Sequence, residues 1–280
     1  MLQTANAIST AACAQALTGV EAHSYDCIQS NLAVLADAAH GRGTAHRMGA
    51  QLLIEPRPSG DGLYTMDPDP ADEATRCAAL VGLLADGPDL AVAAGQLRDA
   101  VGTQPCYAVG DAFEMPWLPY YRQAHMPHSF LVAAAGPDAW VLDAYDNQTE
   151  WGAAEPGSWR RPWSELDFPV RLWRWQPAPL GPSADRRSER RGIEDYLAAL
   201  RNHPDRARAW DQFAIDTWLL ARRHRLFAHA YPDDPAAEQV AERWERLAAD
   251  AFLGLRRVRR GRPEPAEPLA EAERLLAEPR

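Results

Sequence analysis

The sequence predicts an α+β protein in which an antiparallel sheet follows an early helix and a helical region forms the C-terminal part. Apolar residues recur at helical spacing after Cys27, and two short strand-like segments flank a turn at residues 136–138. Beyond residue 200, two amphipathic segments carry aromatic residues at helical spacing. The 280 residues are enough for one large domain or two modest ones.

The first of these elements is a helix that begins near Cys27. Its apolar face is formed by Ile28, Leu32, Leu35, Ala36 and Ala39. Asp26 is a candidate N-cap, which would place Cys27 in the first helical turn. At that position the unpaired N–H groups and the helix dipole lower a thiol pKa from its usual value of about 8.5. We expect the same N–H groups to be able to bind an oxyanion.

The next element is a hairpin. Ser129 to Ala134 and Ala139 to Leu142 are predicted as short strands joined by a turn at Gly136-Pro137-Asp138. Pairing of these strands brings His128 near Asp143, because facing residues of a hairpin lie about 5 Å apart. We therefore expect a hydrogen bond between the imidazole and the carboxylate.

Together, Cys27, His128 and Asp143 indicate a cysteine nucleophile with its base and orienting acid. A thiol needs a base to take its proton, and the base needs a carboxylate to fix its tautomer. The order Cys, His, Asp, with the histidine opening an apolar strand, predicts a papain-like cysteine-nucleophile fold. Asp146 and Asn147 are alternatives for the orienting role. The competing interpretation is a buried structural cysteine with an unrelated histidine nearby.

Several short motifs resemble those of the butirosin biosynthesis protein H family. They are His23-x-x-x-Cys27 with its helix, the run Asp111-x-Phe113-x-Met115-Pro116-Trp117 before His128, and the hairpin that closes at Asp143. The resemblance covers residues 25–255. It implies a papain-like Cys-His-Asp acyltransferase domain followed by a helical region. It also implies acyl transfer from a carrier-protein thioester to an amine in specialised (natural product) metabolism.

The resemblance also implies partners. The donor would be an acyl or peptidyl carrier protein, whose phosphopantetheine arm is part of the substrate, and the acceptor would be a small molecule. A thioesterase, cyclase or hydrolase that forms the same thioester is the nearest alternative. A catalytically silent module that binds carrier proteins is an alternative from a different class.

The amino-acid composition excludes several classes of partner, cofactor and mechanism. The net charge of −10 argues against nucleic acid as a partner, and the absence of lysine excludes Schiff-base and phosphate-loop lysines. The cysteines lack metal-ligand spacing, so no metal is expected, and no nicotinamide cofactor is implied. No apolar run approaches the ~20 residues of a membrane span, and Met1 to Val20 lack the pattern of an export signal. With free thiols, these features predict a cytoplasmic protein.

The composition changes after residue 175, where a Pro-rich linker over residues 176–183 is predicted. We therefore expect a papain-like catalytic domain over residues 1–175 and a helical region over residues 188–258. Residues 259–280 would form a helical or disordered tail. In the second region, a helix capped by Asp234 is predicted to bury Val240, Trp244, Leu247, Ala248, Ala251 and Phe252.

Four further segments have recognisable sequence patterns. Helices are predicted at Glu73–Leu84 and Leu90–Val101. The Trp- and Tyr-rich segment 111–127 forms either a substrate wall or packing against the sheet. The basic run Arg256–Arg262 is interpreted as a helix end whose arginines complement the dipole, with a docking patch for an acidic carrier protein as the alternative.

Overall fold

The computed structural model describes residues 7–182 and 187–278. Its α-helices are α1 (Thr10–Leu17), α2 (Gln29–His40), α3 (Pro70–Leu80), α4 (Leu97–Ala100), α5 (Ile193–Asn202), α6 (Arg206–Ala230), α7 (Pro235–Arg259) and α8 (Glu267–Ala277). Its strands are β1 (Gln51–Ile54), β2 (Arg57–Pro58), β3 (Tyr64–Thr65), β4 (Leu83–Ala85), β5 (Leu90–Val92), β6 (Cys106–Asp111), β7 (Pro127–Ala135), β8 (Asp138–Asp143), β9 (Asn147–Thr149), β10 (Gly152–Ala154), β11 (Gly157–Arg161), β12 (Val170–Trp173), β13 (Trp175–Pro177) and β14 (Arg187–Arg190).

The first compact unit comprises Met1–Met48 and Pro70–Pro182. Its centre is a six-stranded sheet with the strand order β11-β8-β7-β6-β12-β5, in which every neighbouring pair is antiparallel. An antiparallel sheet in this unit and helices in the C-terminal part confirm the α+β class that the sequence predicts.

Helix α2 packs against α1, α3 and the strands β7 and β8. Its residues Gln29 to Asp37 are all buried, so the helix is enclosed on every side rather than along the single predicted stripe. Enclosure requires that the polar residues of α2 find hydrogen-bond partners inside the protein. Gly41, in the left-handed region with φ +100°, ends the helix.

The predicted helix at Leu90–Val101 is wrong. Strand β5 occupies its first part, where it pairs with the edge of β12, and only α4 in its last part is helical. Pairing with the sheet overrides the helical tendency of a short apolar run, which periodicity alone does not separate from a strand. The predicted helix at Glu73–Leu84 begins and ends earlier, as α3, and β4 follows it.

The second compact unit comprises Gly49–Asp69 and Ser183–Arg280. It contains β1 paired in parallel with β14, the β2–β3 hairpin, and helices α5 to α8. Residues 49–69, which the sequence interpretation places in the catalytic domain, contribute Leu52, Ile54, Leu63 and Met66 to the core of this helical unit. The chain passes between the two units three times, after residues 48, 69 and 182, and only the last of these points lies in the predicted linker over residues 176–183.

The longest helices of the second unit begin at side-chain caps. Asp205 accepts a hydrogen bond from the Arg208 amide, and Asp234 accepts from the amides of Ala236 and Ala237. Of the predicted stripe on α7, Trp244, Leu247 and Ala251 are buried, whereas Phe252 is exposed. Arginines occupy the last turn of α7, and α8 makes residues 267–277 of the tail helical.

A buried carboxylate fastens the 49–69 segment to α6 inside this unit. Oδ1 of Asp216 accepts hydrogen bonds from the Met66 amide at 2.8 Å, from Gln212 Nε2 at 3.0 Å and from Thr65 Oγ1 at 3.3 Å. Burial raises the pKa of Asp216 to about 7 despite these donors.

Among the described residues, no helix has both the length and the apolar character needed to cross a membrane.

The pKa of Asp216 predicts how stability depends on pH. An unfolded aspartate titrates near pH 4, so between about pH 4 and pH 7 the folded protein holds a proton that the unfolded chain releases. Stability therefore falls as pH rises through this window. Asp216→Asn should remove that slope and raise the free energy of unfolding at pH 8 by on the order of 4 kcal/mol.

Calorimetric unfolding of the wild-type and variant proteins between pH 4.5 and pH 8 measures this difference. Asp250→Asn, which changes an exposed carboxylate on α7, is the control and should keep the wild-type slope. Parallel pH profiles for the wild-type protein and Asp216→Asn would contradict the assignment.

Candidate active site

Asp26 organises the turn that leads into α2. Its Oδ1 accepts hydrogen bonds from the amides of Ile28 at 2.9 Å and Gln29 at 2.8 Å, and its carbonyl accepts from the Ser30 amide. Asp26 thus accepts the hydrogen bonds of a capping side chain, but Ile28, and not the predicted Asp26, occupies the N-cap position of α2. The helix itself begins at Gln29, so Cys27 lies in the turn before α2 rather than in the first helical turn.

The bonds of Asp26 limit which amides of this turn can bind a substrate. The Ile28 and Gln29 amides are engaged by the Asp26 carboxylate, so the expectation that they act as oxyanion donors is wrong. Asp26 is itself buried, and its negative charge lies next to Cys27 in the chain.

The backbone and side chain of Cys27 are fastened to β7. The thiol donates to the carbonyl oxygen of Pro127, with 3.4 Å between Sγ and O. The Cys27 carbonyl accepts from Ser129 twice, from the hydroxyl at 2.6 Å and from the amide at 3.3 Å. These bonds hold Cys27 beside the strand segment that carries His128.

The hairpin register explains how His128 meets Asp143. Leu131 pairs with Leu142 and Ala135 with Asp138, so continuing the ladder puts Phe130 opposite Asp143. His128 lies two residues from Phe130 on the same face, and it reaches Asp143 diagonally rather than directly across the ladder. Nε2 of His128 and Oδ2 of Asp143 are 2.7 Å apart, and both side chains are buried.

Four N–H groups surround the Asp143 carboxylate. Oδ2 accepts from His128 Nε2 and from Trp117 Nε1, the latter at 3.0 Å. Oδ1 accepts from the Tyr145 amide at 3.0 Å and from Asn31 Nδ2 at 3.3 Å. A carboxylate suits this position because it only accepts hydrogen bonds. An asparagine there would turn its NH₂ group toward two other donors in either orientation.

This environment assigns the tautomer of His128. Since Nε2 donates to Asp143, Nδ1 is the nitrogen that can accept a proton. Nδ1 is buried and makes no hydrogen bond within the described part of the chain. The imidazole therefore has one nitrogen held by the carboxylate and one available as a base.

Aromatic side chains cover the imidazole. The Tyr145 ring meets the His128 ring edge-on with 5.1 Å between centroids, and the Tyr145 hydroxyl lies 3.3 Å from that of Tyr120. Asn147, one of the alternative orienting residues, donates to the Tyr120 hydroxyl instead. In the segment between β6 and β7, Trp117 packs against Phe130 of the sheet and Tyr120 against Tyr145, whereas Tyr121 is exposed.

The sequence interpretation missed two residues of the site, although one lies in the predicted helix after Cys27 and the other in the predicted hairpin. Asn31 and Ser129 are buried polar residues that connect α2 to β7. The available signal was the polar Asn31 among the apolar residues of the helix predicted after Cys27. A polar residue within an apolar helix that is enclosed by protein must have a specific partner.

No protein-family model matches this chain, and a search of curated proteins finds no match.

The four cysteines differ in what burial does to their reactivity. Burial raises the pKa of Cys13 to about 12 and also raises the pKa values of Cys77 and Cys106. Cys27 has the largest exposed fraction, 8% against 0–3% for the others. We expect iodoacetamide at about pH 6.5 to label Cys27 first. Peptide mapping after brief labelling measures this order, and faster labelling of Cys13, Cys77 or Cys106 would contradict it.

The four donors around Asp143 predict a large effect of Asp143→Asn. The amide cannot satisfy all four, so His128 loses its fixed tautomer, and the rate of Cys27 alkylation near pH 6.5 should fall about 100-fold or more. Asp146→Asn is the matched control and should change the rate little. The reverse order of effects would mean that Asp146 orients the imidazole.

Proposed function

We propose that this protein is a Cys-His-Asp acyltransferase that moves an acyl group from a carrier-protein thioester, through acyl-Cys27, to an amine in specialised metabolism. One observation carries the proposal. Asp143 holds the His128 imidazole at Nε2, which leaves Nδ1 to act as a base. Cys27 is hydrogen-bonded to Pro127 and Ser129, the two residues that flank His128 in the chain.

The proposed reaction has two halves. In the first, Nδ1 of His128 takes the proton of the Cys27 thiol, and Sγ attacks the carbonyl carbon of the donor thioester. The tetrahedral intermediate collapses to acyl-Cys27, and the carrier's phosphopantetheine thiol leaves with the proton from His128. In the second half, an amine attacks acyl-Cys27 while His128 takes the amine proton. Collapse then releases the amide and returns the proton to Cys27.

In this scheme Asp143 has an orienting and electrostatic part. It keeps the proton of the neutral imidazole on Nε2, and its charge stabilises the imidazolium that forms in each half-reaction. The donors that surround it hold the carboxylate in place without moving a proton themselves.

The enclosure of His128 favours transfer over hydrolysis. Tyr145 and Trp117 lie against the imidazole and its carboxylate, and none of the His128 surface is exposed. An acyltransferase must keep water from the acyl-enzyme until the acceptor arrives, and an apolar cover does this. A thioesterase, cyclase or hydrolase would use the same residues but admit water or an internal nucleophile.

We further propose that the first unit is papain-like. A helix that follows the cysteine and packs on an antiparallel sheet carrying the histidine and the acid supports this arrangement. The proposed partners are an acyl or peptidyl carrier protein and a small-molecule amine, and the proposed compartment is the cytoplasm, where the Cys27 thiol stays reduced.

Incubation with acylated carrier proteins tests the function. Intact-mass measurement should detect an acyl adduct on the wild-type protein that persists without an amine and is discharged as an amide when the right amine is added. Cys27→Ser should form no thioester adduct, and Cys106→Ser, which changes another buried cysteine, should form it normally.

The alternatives predict different results. Rapid loss of the adduct to water would favour the hydrolase or thioesterase, and release of a cyclic product would favour the cyclase. A folded protein that binds carrier proteins, forms no adduct with a broad panel of acyl donors and alkylates Cys27 no faster than a simple thiol would favour the silent module.

A further inference from the structure

Asn31 lies on α2, four residues after Cys27, and is completely buried. Its side chain and the Cys27 carbonyl both bond to Ser129, so Asn31 meets the same part of β7 as the cysteine. A buried amide must have partners for its donors and its acceptor, and those partners define what the residue holds.

The bonds of Asn31 join two strands to the helix. Nδ2 donates to the Ser129 carbonyl at 2.9 Å and lies within reach of the Ser129 hydroxyl at 3.1 Å and of Asp143 Oδ1 at 3.3 Å. Oδ1 accepts from the amide of Ala144 at 3.0 Å. The amide has a single consistent orientation, because the Ala144 amide can only donate and the Ser129 carbonyl can only accept.

Ser129 completes a circuit around the candidate catalytic residues. Its hydroxyl donates to the Cys27 carbonyl and faces Asn31, which in turn donates to Asp143. Asp143 holds His128, and the strand residue before His128 accepts from the Cys27 thiol. Every member of the circuit is therefore fixed relative to the others through hydrogen bonds.

We propose that Asn31 is a positioning residue that fixes the Asp143 carboxylate relative to the Cys27 turn, and that it thereby sets the reactivity of Cys27 through His128. The inference rests on the proposed function insofar as it takes Cys27, His128 and Asp143 as the reacting set. Asn31 does not touch the reacting atoms, and its effect is exerted through the oxygen of Asp143 that His128 does not use.

Substitution by aspartate isolates this role. Asn31→Asp keeps the size of the side chain and the acceptor for Ala144, removes the donor, and puts a second carboxylate within 3.3 Å of Asp143 Oδ1. Like charges at this distance repel, so the Asp143 carboxylate should move or be neutralised. In either case Asp143 would hold the His128 imidazole less firmly.

The chain offers a matched control. Gln212 is a buried amide on α6 in the second unit, and its Nε2 donates to the buried carboxylate of Asp216 at 3.0 Å. Gln212→Glu is therefore the same kind of change, a carboxylate in place of an amide beside a buried carboxylate. It should lower stability without changing the chemistry of Cys27.

The experiment measures the rate of Cys27 alkylation by iodoacetamide as a function of pH, which requires no acyl donor. Asn31→Asp should lower the rate near pH 6.5 by between about 10-fold and 100-fold and move the profile to higher pH. Gln212→Glu should retain the wild-type profile. If Asn31→Asp does not fold, the second variant is Asn31→Ser, whose side chain is too short to reach Asp143. Near-ultraviolet circular dichroism checks the folding of each variant.

A double-mutant cycle tests whether Asn31 acts through Asp143. In the Asp143→Asn background, adding Asn31→Ser should change the alkylation rate less than twofold, because the carboxylate that it positions is already gone. Equal effects in both backgrounds, or a wild-type pH profile for folded Asn31→Asp, would overturn the inference. A wild-type Cys27 that reacts like a simple thiol would instead contradict the proposed function, so the two failures are distinguishable.

Discussion

The arrangement of the first unit depends on one buried carboxylate and the N–H groups that surround it. Asp143 ends a strand, yet its donors come from a helix, from the segment between two other strands and from the chain that follows. A buried anion is tolerated only where such donors replace water. Because the buried carboxylate needs these donors, Asn31, Trp117 and His128 meet at a single point.

Enclosure of α2 has a chemical consequence for the neighbouring turn. A helix surrounded by protein must satisfy its first amides internally, and Asp26 does so at the Ile28 and Gln29 amides. Satisfying these amides removes them as donors for a substrate oxyanion. Stabilisation of a tetrahedral intermediate in the proposed reaction must therefore come from other groups, and the enclosed helix contributes position more than positive potential.

The two units use buried carboxylates in different ways. Asp143 distributes its donors over both oxygens, two on each, and one of the four is the imidazole. Asp216 receives three donors on a single oxygen, and two of them, from Thr65 and Met66, fasten a segment of the chain to α6. The first arrangement orients another side chain, whereas the second joins elements that are distant in sequence.

The sequence by itself determined the local features: the bonds of Asp26 to the turn before α2, the hairpin between His128 and Asp143, and the cap of α7 at Asp234. Each depends on residues close together in the chain, where turn chemistry and periodicity act directly. The tertiary structure decided that Leu90 begins a strand and that residues 49–69 join the helical unit. It also decided that Asn31 meets Asp143, a contact between residues 112 positions apart. Such choices depend on which distant segments bury one another, and no local pattern in a single sequence specifies that.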